Sequence, residues 1–329
     1  MLVRILRPIA HGARSVLGIN GLSPRLTALE SSARDLLVAL REQSVAAPTK
    51  QRIAPSTISL YAPPQLIETA ADSATLRAMV AKTAATWENE GDTAPYHSVL
   101  TFDEYRPERF AENEVFFFES RKQDLELILA LLHRIGRSPE DFYRCVEFGC
   151  GVGRVTAQLA ASFSEVLALD VSRPHLRLAE AHLVRLGYKN VSFLQVTPED
   201  LHPCAGYDLW FSRLVLQHNP PPVTLEILDR MFAGLALGGV AIVHVPTYCD
   251  GYYFKIADYL ADKLPPEHMH MHATPQKLIL ELACRYGCCP IDIREEPVSD
   301  GWLTNIFVFL RVHHGAPQAV SRGMRSSDR

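Results

Sequence analysis

Short apolar runs and segments of helical periodicity alternate through the second half of the chain. This alternation is typical of βαβ units and predicts a mostly parallel β-sheet. The predicted strands are 144–148, 165–170, 191–196, 208–212, 240–245, 291–298 and 304–312. Helices are predicted around 176–186, 222–237 and 276–286. The last two predicted strands form a hairpin.

The first half of the chain follows a different pattern. Apolar residues recur at helical spacing over 23–40, 76–87 and 125–132, whereas the proline-containing segment 46–64 has no periodicity and is typical of a linker. We therefore predict four parts of the chain. They are a basic, helical N-terminal segment with a linker (1–64), a helical cap (65–140), a sheet domain (141–315) and a flexible polar tail (316–329).

A glycine-rich turn joins the first predicted strand to the helix behind it. Gly149, Gly151 and Gly153 stand at alternate positions just after Glu147. Glycine permits positive φ and a close approach by a ligand, and the following helix directs its first N–H groups toward that ligand. A dinucleotide fingerprint, G-x-G-x-x-G, would need glycine at position 154, where the chain has arginine. The turn therefore predicts a nucleotide-like ligand of another kind.

Asp170 ends the second predicted strand, about twenty residues beyond the glycines, where a carboxylate can accept hydrogen bonds from ribose hydroxyls. Glu147, the G-x-G-x-G turn and Asp170 together resemble the class I S-adenosylmethionine-dependent methyltransferases. The resemblance covers about 145–312. It implies an α/β, Rossmann-like fold with a seven-stranded, mostly parallel sheet whose last strand is antiparallel, and S-adenosylmethionine as the cofactor. The alternative is a Rossmann-like domain that binds another nucleotide, or none.

The resemblance also assigns roles to individual residues. The cofactor-binding residues it implies are Glu147, Gly149, Gly151, Gly153, Asp170, Val171, Thr197 and Ser212. Many relatives have an aspartate after the third strand that accepts from the adenine amino group, but here Thr197 takes that position and Pro198 has no N–H to donate. Helices before the glycine turn cover the cofactor pocket in similar enzymes. Trp87, Tyr96 and Phe117 are therefore candidates for lining a lid, with core packing as the alternative.

The acceptor end is expected at the ends of the fourth and fifth strands. An alcohol acceptor must lose its proton, and a histidine is the usual base. His218 is the first candidate for the base and His244 the second, although a capping or core role is as compatible with either position. Tyr96, Arg213 and His270 are the predicted substrate contacts. The Asn219-Pro220-Pro221 run lies too far beyond the fourth strand to act as the motif of amino-group methyltransferases.

Histidines at 268, 270 and 272 would share one face of an extended segment. We expect this segment to contact substrate; a divalent metal site and a plain loop are the alternatives. The seven cysteines form no paired C-x-x-C ligand sets, so no metal site is predicted from them. Free thiols favour a reducing, cytoplasmic compartment. No apolar run is long enough to span a bilayer.

A formal net charge of −4 and a pI near 6.4 argue against a nucleic-acid partner. The basic start, 1–24, is compatible with an anionic membrane surface, but its glycines and proline favour a flexible or locally docked N-terminus. The sequence makes no prediction of oligomeric state. The run from Ser212 to Pro220 and the segment from Tyr248 to Phe254 resemble bacterial methyltransferases of glycan or secondary-metabolite pathways. This resemblance implies a methyltransferase for a small polar acceptor, at a hydroxyl of a sugar, glycan or secondary metabolite. The alternatives are a protein or RNA methyltransferase and a non-catalytic cofactor-binding scaffold.

Overall fold

The computed structural model describes residues 64–201, 205–262, 269–296 and 301–313. All described residues belong to one unit of the chain, Ala54–Arg329. The predictions for the basic start 1–24, the helix over 23–40, the linker before Pro64 and the tail 316–329 lie outside the described residues. No helix in the described part is long and apolar enough to cross a membrane.

The described unit is built on one seven-stranded sheet. Its strands are β1 (Arg144–Phe148), β2 (Glu165–Asp170), β3 (Val191–Gln195), β4 (Tyr207–Ser212), β5 (Leu235–Cys249), β6 (Cys288–Glu295) and β7 (Trp302–Arg311). Their order is β3-β2-β1-β4-β5-β7-β6. The strands β1 to β5 pair in parallel, and β7 lies antiparallel between β5 and β6. The predicted fold class is confirmed, including the closing hairpin.

Helices cover both faces of the sheet. They are α1 (Ser73–Thr93), α2 (Pro95–Val99), α3 (Pro107–Glu119), α4 (Arg121–Arg134), α5 (Thr156–Ser162), α6 (Arg173–Arg185), α7 (Pro221–Gly234), α8 (Ile256–Ala261) and α9 (Gln276–Arg285). One core, which includes Trp210 and Phe307, packs against α1, α7 and α9; the other, which includes Phe211 and Val308, packs against α4 and α5. Neighbouring residues of a strand therefore serve opposite layers, as the alternation of side chains requires.

The structure corrects several of the predicted boundaries, among them those of α1 and β5. Helix α1 is longer than predicted, because Asp72 caps its first turn by accepting from the N–H groups of Ala74 and Thr75, both at 2.9 Å. Gly91 lies inside this helix and does not end it. A Cβ atom at Gly91 would lie 2.6 Å from Ser172 Oγ, so the glycine lets α1 lie directly against the start of α6.

Strand β5 also begins earlier than predicted. Leu235 already pairs with Tyr207, and the register then shifts before Val240 pairs with Leu209. Gly238, at φ +77°, lies in this irregular stretch. Gly238 and its neighbour Gly239 therefore lie within β5, at its irregularity, and the predicted helix over 222–237 ends at Gly234 instead.

Candidate cofactor and acceptor site

A cavity opens at the carboxyl ends of β1, β2 and β4, the edge where ligands of open α/β sheets bind. The glycine turn and the residues after the strands form its floor, and side chains of α1 and α2 form its cover. Of the predicted site residues, Glu147, Gly149, Gly151, Asp170, Val171, Arg213 and His218 line it. The structure therefore brings together residues that are far apart in the sequence.

Gly149 and Gly151 are fixed by both backbone conformation and space. Their φ angles are +81° and +53°, in the region that favours glycine. A Cβ atom at Gly149 would lie 2.3 Å from a methyl carbon of Val215, and one at Gly151 would lie 2.8 Å from a methyl carbon of Val99. The turn can be built in this form only with glycine at these two positions.

Gly153 has a different role in the structure. Its φ is +79°, and a Cβ atom there would meet Leu183 at 2.9 Å and Ala179 at 3.1 Å, both on α6. It is not among the residues that line the cavity. Gly153 therefore permits the close packing of the turn against α6, whereas the other two glycines face the cavity.

Asp170 holds the turn and the start of α6 together. Its Oδ2 accepts from the backbone N–H of Gly151 and its Oδ1 accepts from that of Ser172, each at 2.8 Å. Each carboxylate oxygen has two lone pairs, so both oxygens retain acceptor capacity on the cavity side. Val171 follows it in the lining.

Glu147 is buried beneath the turn. Its Oε2 accepts from the hydroxyl of Thr156 at 2.6 Å. Burial raises the pKa of Glu147 to about 8, against the opposing effects of the Thr156 hydrogen bond and the charge of Arg154. The carboxyl group is therefore largely protonated at neutral pH and can donate a hydrogen bond as well as accept one.

Two other predicted cofactor residues lie away from the cavity lining. Ser212 is buried, and its hydroxyl donates to the carbonyl of Phe148 at 2.9 Å, which links β4 to β1. Thr197 closes a tight turn, with backbone hydrogen bonds to Asp200 in both directions. Near this turn, Val196 and Leu201 line the cavity, and both are apolar and buried.

The three aromatic candidates for the lid separate in the structure. Trp87 of α1 lines the cavity, with its ring edge-on to His218 at a centroid distance of 5.1 Å. Tyr96 stacks on Phe110 at 3.5 Å and contacts Phe117 edge-to-face, in a separate aromatic cluster. Tyr96 and Phe117 therefore have the alternative role, core packing, and Tyr96 does not reach the cavity lining as the predicted substrate contact would require.

The cover is fastened to α6 by His175, which sequence reasoning missed. Its Nε2 lies 3.0 Å from the hydroxyl of Ser98 and 3.2 Å from the carbonyl of Pro95, both in α2. His175, Ser98 and Val99 all line the cavity. The helices before the sheet domain thus cover the glycine turn directly.

Arg213 belongs to a chain of charged groups at one end of the cavity. Its Nε and Nη2 donate to the two carboxylate oxygens of Glu296 at 3.0 and 2.6 Å, and its Nη1 donates to Asp124 Oδ1 at 2.6 Å. Asp124 Oδ2 lies 2.7 Å from Nη1 of a second arginine, Arg154. Asp124, Arg154 and Arg213 all line the cavity.

Sequence reasoning missed Asp124, Arg154 and Glu296. Asp124 lies in the first turn of α4, where an acid is ordinary, and Glu296 follows the last residue of β6. A faint signal was available for Arg154, which comes directly after the last glycine of the turn. Their proximity depends on long-range packing between elements.

His218, the predicted base, lines the cavity as a partly exposed, neutral imidazole. Its Nδ1 lies 2.9 Å from the carbonyl oxygen of His270, which can only accept, so Nδ1 carries the proton. Its Nε2 is then an acceptor, and the side-chain amide of Gln217 lies 3.1 Å from it. Burial lowers the pKa of His218 to about 4, while the His270 carbonyl acts in the opposite direction.

His244 lies behind Arg213 and does not line the cavity. Its Nδ1 accepts from the backbone N–H of Leu214 at 3.3 Å, and its Nε2 lies 3.5 Å from Glu296 Oε2. Burial lowers its pKa to about 4. Leu214 has φ +62°, which is rare for a residue other than glycine and is typical of strain held at a functional site. His244 therefore supports a strained loop at the acceptor end.

The histidine-rich segment is partly described, since His268 is outside the described residues. His270 holds the ring of His218 through its carbonyl, and its Nε2 lies 3.3 Å from Asp262 Oδ2. His272 is buried, and its Nδ1 lies 3.0 Å from the hydroxyl of Tyr252. Among the described residues, no three side chains of His, Cys, Asp or Glu converge as metal ligands. His270 reaches the cavity only through His218.

Residues 146–241 match a protein family described as a methyltransferase domain. The match includes the glycine turn, Asp170 and the cavity-lining loop after β4. This part of the chain is a class I S-adenosylmethionine-dependent methyltransferase domain. Asp124 and Glu296, which pair with Arg213, lie outside the matched range.

The chain is similar to curated proteins that are named for different acceptors. It is 33% identical over 133 residues to a trans-aconitate 2-methyltransferase of Deinococcus radiodurans, covering 39% of this chain and 48% of that protein. It is 31% identical over 134 residues to phosphoethanolamine N-methyltransferase 1 of Arabidopsis thaliana, covering 38% of this chain and 26% of that protein. The chain thus spans half or less of the length of these relatives.

Among solved structures, the domain is similar to the N-methyltransferase NodS of Bradyrhizobium japonicum in complex with S-adenosyl-L-homocysteine. The sequences are 15% identical, the TM-score is 0.47, and the similarity covers 69% of this chain and 99% of that one.

Proposed function

We propose that the protein transfers the methyl group of S-adenosylmethionine to an oxygen atom of a small polar acceptor held in this cavity. The observation that carries the proposal is one covered cavity that joins the turn at Gly149 and Gly151, the carboxylate of Asp170, and an acceptor wall containing Arg213 and His218. The relatives differ in the acceptors that they are named for, so the choice of acceptor depends on this chain's own residues.

The residues at the turn fit a sulfonium nucleoside. When bound, S-adenosylmethionine supplies an electrophilic methyl group. Asp170 keeps lone pairs for two ribose hydroxyls, and the glycines let the backbone approach the ligand. Glu147, a largely neutral acid that can donate or accept a hydrogen bond, would be the residue that holds the amino-acid end. Val196 and Leu201 provide an apolar wall for a planar base, in place of the missing aspartate.

The cover contributes to the reaction by excluding water. Methyl transfer is an in-line displacement, so the protein must chiefly hold the two reacting atoms close and dehydrate them. Trp87 and Thr83 of α1 and Val99 of α2 close the cavity from above. His175 holds α2 to the helix that follows Asp170, which couples the cover to the cofactor end.

A hydroxyl acceptor, as predicted from the sequence, would need His218 as its base. The tautomer is suitable, because Nδ1 donates to His270 and Nε2 is the acceptor. However, Nε2 already accepts a hydrogen bond from the side-chain amide of Gln217. The low pKa of His218 also makes it a weak base. A hydroxyl acceptor therefore requires Gln217 to turn away and the proton affinity of His218 to rise in the complex.

Calorimetric titration of the full chain with S-adenosylmethionine, S-adenosylhomocysteine and NAD tests the proposal. Micromolar binding of both sulfur nucleotides and none of NAD is expected, because position 154 lacks the glycine of a dinucleotide turn. Absence of binding by both sulfur nucleotides would refute the proposed function. Binding without transfer of the methyl group to any small molecule would instead favour a cofactor-binding scaffold.

A further inference from the structure

We infer that the acceptor presents a carboxylate, which Arg213 binds and whose oxygen is methylated. This inference rests on the proposed function and names the chemical class of its acceptor. It follows from three features of the cavity. Arg213 has donors without a partner among the described residues, a charge network holds this guanidinium in place, and the acidic and histidine side chains of the described lining already have partners.

Arg213 has donors left for a ligand. A guanidinium has five N–H donors. Glu296 takes two of them and Asp124 takes one. Within the described part of the chain, the other two have no partner. The side chain lines the cavity and is 24% exposed, whereas that of Arg154 is only 8% exposed. Arg213 is thus the cavity-lining cation that a ligand can reach.

Asp124 fixes the direction of this guanidinium. Its carboxylate is 4% exposed and binds Arg213 with one oxygen and Arg154 with the other. Buried ion networks are often less stable than apolar residues of similar volume, so stability alone does not account for one at this position. A guanidinium held rigidly at a cavity wall is suited to recognising a carboxylate, to which it can offer its remaining N–H groups, one on Nη1 and one on Nη2.

Each acidic or histidine side chain in the described lining of the cavity already binds another group of the protein. Asp124 is bound by two arginines, Glu147 by Thr156, and Asp170 by two backbone N–H groups. His175 contacts α2, and His218 Nε2 receives an amide. A carboxylic acid has already lost its proton at neutral pH, so a carboxylate acceptor needs no base.

The reaction then balances without another reactant. A lone pair of the acceptor's carboxylate oxygen forms a bond to the methyl carbon while the carbon–sulfur bond breaks. The electron pair of that bond stays on sulfur, which loses its positive charge. The products are a methyl ester and S-adenosylhomocysteine, and no proton is transferred. Arg213 orients the carboxylate through the oxygen that does not attack.

Methyl esters can be told from ethers and N-methyl products by alkali. The full chain is incubated with S-adenosylmethionine carrying tritium in its methyl group and with a protein-free pool of small metabolites. We expect labelled product that releases volatile methanol in mild alkali. Alkali-stable label would overturn the inference and leave the proposed function intact. No transfer by protein that binds the cofactor would also overturn it, whereas no cofactor binding refutes the proposed function itself.

Variants of Arg213 and its partner add a kinetic test with the acid identified in the pool. Arg213→Gln should raise KM on the order of 10- to 100-fold, the scale of lost hydrogen bonds to a charged group. Binding of S-adenosylhomocysteine shows that the variant is folded. Arg230→Gln is the matched control, since Arg230 pairs with Glu226 and Asp200 outside the cavity lining, and its KM should be unchanged.

Should Arg213→Gln fail to fold, Glu296→Gln provides an independent test. This substitution keeps Arg213 and removes the negative charge of Glu296. The hydrogen bonds from Arg213 to residue 296 become weaker, so the guanidinium can bind a ligand carboxylate more strongly. KM for the acid should therefore fall. A purely structural ion network predicts an unchanged or higher KM, and that result would overturn the inference.

Discussion

The two ends of the cavity are built in different ways. At the cofactor end, Gly149, Gly151 and Asp170 belong to one strand–turn–helix–strand segment, and backbone N–H groups hold them in place. At the acceptor end, Asp124 and Arg213 come from elements far apart in the chain, and ion pairs hold them together. Backbone geometry preforms the first end, whereas the second exists only once the whole sheet and α4 have packed.

The family match divides the residues of the two ends unequally. The family match over 146–241 contains the glycine turn, Asp170 and Arg213, but neither Asp124 nor Glu296. Substitutions at the cofactor end should therefore affect binding of the nucleotide, whereas those at the acceptor end should affect stability, acceptor affinity or rate.

The largest expected effect is at Gly149. Gly149→Ala should abolish binding of S-adenosylhomocysteine, because the new methyl group overlaps Val215 and the φ of +81° is strained for alanine. Calorimetry measures the affinity. Gly187→Ala is the matched control, since Gly187 has φ +82° but nothing within 4 Å of an added Cβ. It should cost about 1–2 kcal/mol of stability and retain binding. Similar affinity loss in both variants would contradict the steric explanation.

At the acceptor end, Asp124→Asn should destabilise the protein by about 3–5 kcal/mol, because it removes the counter-charge that the buried Arg154 shares with the partly exposed Arg213. Urea unfolding measures the change. Asp103→Asn is the control, since the Asp103–Arg106 pair is exposed, and its stability should be unchanged. Equal stability of both variants would show that Asp124 and its arginines do not form a coupled network.

His218→Ala tests the hydroxyl version of the reaction. If the acceptor is a hydroxyl, loss of the base should slow transfer about 10²-fold while cofactor affinity is retained. Single-turnover kinetics with saturating cofactor measure the rate. A loss of less than about tenfold would remove His218 from the role of base.

Asp170→Ala should weaken S-adenosylhomocysteine binding by about 1–3 kcal/mol, the scale of hydrogen bonds to a charged acceptor. Calorimetry should also show a smaller loss for adenine alone than for the nucleoside, because adenine has no ribose hydroxyls. Equal losses for both ligands would mean that Asp170 acts only by holding the turn through Gly151 and Ser172.

The smallest expected effect is on the pH dependence of stability. Burial lowers the pKa of His272 to about 3, below its unfolded value of about 6.5, so the unfolded chain binds the proton first. Its stabilising effect is complete above pH 6.5 and is lost as pH falls toward 3. His272→Gln should therefore lose less stability than the native chain between pH 7 and 5, by about 1–2 kcal/mol in thermal unfolding. Parallel pH profiles would contradict this.

The opposite pH dependence is expected from Glu147. Its pKa of about 8 lies above the unfolded value, so the folded chain binds the proton more strongly. Its contribution is complete below pH 4.5 and is lost as pH rises toward 8. The comparison of His272→Gln with the native chain isolates the histidine, since both proteins contain Glu147.

The sequence by itself determined the sheet and the cofactor end. Strand and helix periodicity gave the seven strands and the antiparallel hairpin, and local spacing identified Gly149, Gly151 and Asp170. These features depend on neighbouring residues, whose geometry the backbone fixes over short distances. The same spacing did not distinguish Gly153 from the two glycines that line the cavity. Gly153 instead lets the turn pack closely against α6.

Only the tertiary structure decided the acceptor end and the cover. In the sequence, Asp124 is an ordinary acid in the first turn of a helix, and only the packing of α4 brings it to the cavity. The sequence also gives Trp87 and Tyr96 the same role, whereas in the structure Trp87 lines the cavity and Tyr96 stacks on Phe110. The sequence predicts His218 as a base, but the structure gives each of its ring nitrogens a hydrogen-bond partner, Gln217 and His270. Burial and ion pairing depend on which elements meet, and this information is distributed over the whole chain.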